Sequence, residues 1–118
     1  MKIPREKKTG KFIGEGFEGK EFWISLYYDY GEFDINITPI KVIIEEVSDH
    51  RVKITPVSNL DQDKKNDIDR IIFNPGYGLI DYFDTYEEAV YHYNECLSNE
   101  IGYCEDKIKN ISDLFIKL

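Results

Sequence analysis

Residues 33–47 read FDINITPIKVIIEEV. In the first half Phe33, Ile35 and Ile37 alternate with Asp34, Asn36 and Thr38, the period-two pattern of a strand with one buried and one solvated face. Pro39 has no N–H to give a ladder and in this reading closes that strand. Residues 40–47 then form a second, more buried strand, with a turn at residues 48–50. Residues 51–57 are its antiparallel partner, with Val52 and Ile54 inward.

Upstream, Phe22, Ile24, Leu26, Tyr28 and Tyr30 fall on one face of a strand and Trp23, Ser25, Tyr27 and Asp29 on the other, before a turn at Gly31-Glu32. The glycines at 10, 14, 16 and 19 break any long element in residues 1–20, which read as a basic, flexible arm or edge segment. Downstream, residues 58–70 are polar apart from Leu60 and Ile68 and read as a surface loop. Residues 71–73 and 79–83 flank Asn74-Pro75-Gly76-Tyr77-Gly78, the composition of a second hairpin.

After Asp84 the period becomes helical. Thr85 stands three residues before Glu88, the capping-box spacing. Tyr86, Val90, Tyr93, Leu97, Ile101, Cys104, Ile108, Ile111, Phe115 and Leu118 follow at intervals of three or four. Gly102 interrupts this run just after Ser98-Asn99, which are poor helix formers, and a break there into two helices is the favoured expectation. A continuous rod would have to pack against another chain. The predicted fold is therefore α+β: a single domain over residues 21–118. An antiparallel five- to six-stranded bent sheet or small open barrel, a β meander over residues 21–83, precedes one or two C-terminal helices over residues 85–118.

The length of 118 residues suits one domain with a packed core. The formal net charge is -8, from 15 Lys+Arg and 23 Asp+Glu. Lys2, Arg5, Lys7, Lys8 and Lys11 against Glu6 make residues 1–11 a balance of +4, which leaves -12 for residues 12–118. Such a body repels nucleic acid and anionic membrane and suits a basic protein partner. No apolar run approaches bilayer-spanning length, and the basic start lacks the apolar stretch of a secretory signal. The reading is a cytoplasmic protein with free thiols at Cys96 and Cys104. Seventeen isoleucines against one alanine, Ala89, fit an AT-rich coding sequence of the kind common in low-GC bacteria and phages.

The motifs that carry chemistry are incomplete. His92 and Cys96 share a helical face, but with no Cys-x-x-Cys pair the reading is no metal site. Asp61, Asp63, Asp67 and Asp69 mimic the odd positions of a calcium loop. Lys65, Asn66 and Ile72 then occupy positions that need a ligand, a glycine and a bidentate glutamate. Neither histidine lies in a nucleophilic motif, Glu45-Glu46 point to opposite strand faces, and Gly14-Glu15-Gly16 lacks a third glycine and a helix. The chain is thus read as a non-enzyme without cofactor. Aromatic residues form 14% of it, more than a small core absorbs, and exposed Tyr and Trp concentrate at interfaces.

The candidate partner-binding residues are therefore the acidic Asp61, Asp63, Asp67 and Asp69. Trp23 and Tyr27 join them from the strand face opposite the apolar row, Tyr77 from a turn tip and Tyr91 from off the helical stripe. The expected function is a small acidic binding protein that docks on and inhibits or regulates a larger, basic protein. A phage-encoded anti-defence inhibitor of the anti-CRISPR kind, working in the host cell cytoplasm, would look similar to this chain. The alternatives are a homo-oligomer joined through the C-terminal helices that binds a small nucleotide-like ligand, a toxin-immunity protein, or an accessory structural subunit.

Overall fold

The structure, a computed structural model, describes residues 2–30, 33–58, 62, 65, 66, 68 and 80–116. Three strands, β1 (Glu21–Tyr30), β2 (Phe33–Val47) and β3 (Val52–Pro56), form an open antiparallel sheet in the order β1-β2-β3. One helix follows, α1 (Tyr86–Ser112). The fold is α+β, with three strands rather than five to six among the described residues. The Gly31-Glu32 turn and the turn at residues 74–78 lie outside them. Of the predicted strand at 79–83, Phe83 alone pairs among the described residues: it exchanges both backbone hydrogen bonds with Trp23, at 2.7 and 2.8 Å, on the edge of β1 away from β2.

Pro39 does not end a strand. Leu26 stands opposite Ile37 but Ile24 opposite Ile40, so β1 advances two residues while β2 advances three. The extra residue is a bulge at Thr38-Pro39 facing Ser25. A bulge leaves one residue out of the ladder, a position that a residue without an N–H can fill at no cost. A second slip, between Ile44 and Glu46, sets Glu45 outside the pairing with β3.

These two slips decide which side chains are buried. Ile35 and Ile37 point inward from odd positions, Ile40, Val42 and Ile44 from even ones, and Val47 packs on the same core from an odd one again. Because strand side chains alternate with period two, each one-residue insertion moves the apolar row back to the face it would otherwise leave. Phe22, Ile24 and Leu26 of β1 and Ile54 of β3 complete that face.

Its cover comes from both ends of the chain. Ile3 and Tyr82 are buried in the cluster, with Phe12, Phe17 and Ile80 against it; burial pushes the Tyr82 phenol well above its usual range. Residues 2–20 are thus held on the sheet: Ile13 N–H donates to Pro4 O, Phe12 N–H to Asp49 O, and Gly19 N–H to Ile44 O. Gly14 lies so close to Val47 that a Cβ there would stand 2.5 Å from the valine Cβ. Residues 62, 65, 66 and 68, expected within a loop, are helical. Gln62 donates to Asn66 one turn on at 2.8 Å, and Ile68 is buried in the core.

Helix α1 lies on the opposite face of β1. Ser25, buried, donates its hydroxyl to Ala89 O at 2.6 Å. Ala89, the chain's single alanine, is also the single fully buried residue of α1, because only a small side chain lets helix and sheet backbones approach so closely. Thr85 caps α1, its hydroxyl accepting from Glu88 N–H and donating to the Glu88 carboxylate. The expected break at Gly102 is absent. Helical geometry continues ten residues past it, because glycine costs a helix interior only about 1 kcal/mol.

A Cβ added at Gly102 meets nothing within 4 Å. Gly102→Ala is therefore expected to raise the thermal midpoint by about 3 °C in calorimetry. A fall would show a left-handed cap at Gly102 and two helices.

Candidate binding surface

The face of β1 beneath α1 carries aromatic side chains. Trp23 meets Tyr86 edge-on at 5.1 Å, and Tyr27 meets Tyr93 at 6.4 Å. Tyr93 donates its hydroxyl to Asn36 Oδ1 at 2.6 Å. Trp23 and Tyr27 are therefore half-buried parts of the helix–sheet contact. Tyr91 is 73% exposed on the outer side of α1, apart from both. Asp61, Asp63, Asp67, Asp69 and Tyr77 lie outside the described residues.

A different group comes together where the β1–β2 hairpin meets α1. Asp29 and Asp34 stand directly opposite each other across the strands, and the Asp29 carboxyl, when protonated, hydrogen-bonds that of Asp34. That bond, then repulsion from Asp34, desolvation and the charge of Glu100, all hold the Asp29 carboxyl above the ordinary range. The Tyr27 hydroxyl is raised too, first by desolvation and then by Asp29, Glu100 and Asp34. Cys104 donates its thiol to Glu100 Oε1 at 3.7 Å. Desolvation and then Glu100 hold that thiol above its ordinary value, which disfavours the nucleophilic thiolate.

Like charges placed directly across a strand pair destabilise it, so this corner is an electrostatic cost that the rest of the fold offsets. Three other carboxylates are paired: Glu21 with Lys41 at 3.0 Å, Glu45 with Lys53 at 3.4 Å and Asp49 with Lys11 at 3.5 Å. Hydrogen bonds from Thr55 and then Lys53 hold Glu45 below its ordinary value, the opposite of Asp29. The corner is legible in part, since Tyr30 pairs with Phe33 and the next residue out on each strand is an aspartate. Nothing in the spacing places Glu100 beside them.

Other arrangements offer less chemistry. Cys96 Sγ lies 3.7 Å from His92 Nε2, and the His92 ring packs on Phe83 at 5.1 Å. Among the described residues no three His, Cys, Asp or Glu side chains could hold a metal ion, and no helix is long and apolar enough to cross a membrane. An open cleft of about 450 Å³ is lined, among the described residues, by Gly16, Phe17, Lys20, Glu21, Phe22 and Asp84, with no serine, threonine, cysteine or histidine in that lining. Comparison with models of protein families, with curated proteins and with solved structures finds no match to this chain.

The sign of the pH effect at the corner follows from the raised Asp29 value. The folded state holds that proton more tightly than the unfolded chain, so this carboxyl's contribution to stability is complete below its unfolded pKa and is lost as pH rises through the folded one. Asp29→Asn, which removes the repulsion at neutral pH, is expected to raise the thermal midpoint by about 2 °C at pH 7 and by less at pH 4. An equal or larger gain at pH 4 would contradict this account of the corner.

Proposed function

We propose that this chain is a small, acidic, non-enzymatic binding protein that docks on a larger basic protein and inhibits or regulates it. The observation that carries the reading is the Asp29–Asp34 pair: two carboxyls kept face to face at an exposed hairpin end, with Glu100 adding to the field. Features that cost stability concentrate at functional sites, and a cationic groove is the environment that would relieve this one. The balance of -12 over residues 12–118 extends the same field and steers a basic partner during encounter. Exposed Tyr91 supplies aromatic contact area of the kind interfaces use. A phage-encoded anti-defence inhibitor in a host cytoplasm is one regulator of this description. Its target, a nucleic-acid enzyme, already presents a groove built for negative charge.

The test is affinity capture with the tagged full-length chain, then titration of the purified captured protein and assay of its activity. Asp29→Lys with Asp34→Lys is expected to weaken binding about tenfold or more and to flatten its salt dependence. A second variant with Asp61, Asp63, Asp67 and Asp69 changed to lysine asks the same of the other acidic stretch. The reading fails if affinity is unchanged in both variants, or if saturating the partner leaves its activity untouched.

A further inference from the structure

The C-terminal half of α1 leaves the sheet. Its inward residues, Ala89, Tyr93 and Cys96, occupy one face, and residues 103–112 are all exposed. Around the helix from that face, by about 70° on average, runs a second stripe: Leu97, Ile101, Cys104, Ile108 and Ile111, at intervals of 4, 3, 4 and 3. Ile101 is 60%, Ile108 64% and Ile111 51% exposed. An alternation of four and three is the seam of a two-helix coiled coil, in which each side chain enters a hole on a facing helix.

The charges beside the seam select the occupant. One flank carries Glu100 and Lys107; the other carries Ser98, Glu105 and Ser112. In a parallel pair of identical helices Glu100 would face Glu105. In an antiparallel pair with Leu97 against Ile108, and Ile101 against Cys104, Glu100 faces Lys107 twice by symmetry, and Glu105 faces Ser98. Sliding that pair by one heptad would set Lys107 against Lys107 and Glu105 against Glu105. One orientation and one register are therefore complementary. Its two-fold axis falls between residues 102 and 103, where α1 leaves its own sheet, so each overhanging half lies along the sheet-bound half of the other helix. Within one copy Glu100 acts on Asp29, Tyr27 and Cys104 as a like or repelling charge; an ammonium arriving at this point offsets that repulsion.

We propose that a second copy of this chain covers the exposed stripe of α1, antiparallel, with Leu97, Ile101, Cys104 and Ile108 as the seam and Glu100 paired to Lys107 of the second copy. The assembly is a closed two-fold dimer that presents two Asp29–Asp34 corners. It rests on α1 alone and stands or falls separately from the regulator reading.

Sedimentation velocity of the untagged full-length chain at tens of micromolar tests it. The wild type is expected to sediment as a dimer of the 13.9 kDa chain. Lys107→Glu is expected to weaken dimerisation about tenfold, and Glu100→Lys added to it to restore the affinity. Ile108→Asp is expected to give monomers whose circular dichroism and cooperative unfolding match the wild type, because Ile108 is outside the monomer core. A wild type that stays monomeric at these concentrations overturns the proposal. So does a dimer indifferent to Lys107→Glu, or one tightened by Glu105→Lys, which would mark a parallel pair.

Discussion

The rest of the molecule depends on two one-residue slips in β2. A strand of 15 residues keeps an apolar row on one face only if its inward residues share one parity, and here they do not. Ile35 and Ile37 are followed by Ile40, Val42 and Ile44, then by Val47. Without the bulge at Thr38-Pro39, either the first pair or the following three would be driven to the other side of the sheet, against α1. With it, Ile35, Ile37, Ile40, Val42 and Ile44 all stay under the cover formed by Ile3, Phe12, Phe17, Ile68 and Tyr82. The opposite face is left for the smaller, more polar contact of Ser25 with Ala89.

That division of labour explains the character of α1. The apolar face of the sheet is already covered, so the helix docks through one alanine, two tyrosines and a hydroxyl rather than through a broad apolar stripe. Its own stripe is left on another side and extends past the end of the sheet. The same placement brings Glu100 to the hairpin end, beside Asp29 and Asp34. The acidic corner and the uncovered stripe are thus two consequences of one docking geometry.

Much of this was legible in the sequence, and the misreadings have local causes. The alternation at 22–30 and 33–37, the short partner at 52–56 and the Thr85 cap were visible because period and capping are local signals. Pro39 was read as a terminus because proline removes a ladder N–H. The jump from Ile37 to Ile40 was the sign that no ladder bond was needed there. Gly102 reads as a break, although its propensity cost of about 1 kcal/mol is small beside the cooperative propagation of a 27-residue helix. Ile68 looked like one apolar residue in a polar run, and only the core it enters shows its role. Trp23 and Tyr27 looked free for a partner because the strand alone does not reveal that α1 lies over them.

Cross-strand nuclear Overhauser effects between backbone protons of β1 and β2 test the slip at Thr38-Pro39 most directly. The account predicts contacts that pair Leu26 with Ile37 and Ile24 with Ile40, a step of two residues on one strand and three on the other. Contacts that pair Ile24 with Pro39 would show an unbroken register and contradict the arrangement on which both faces of the sheet depend.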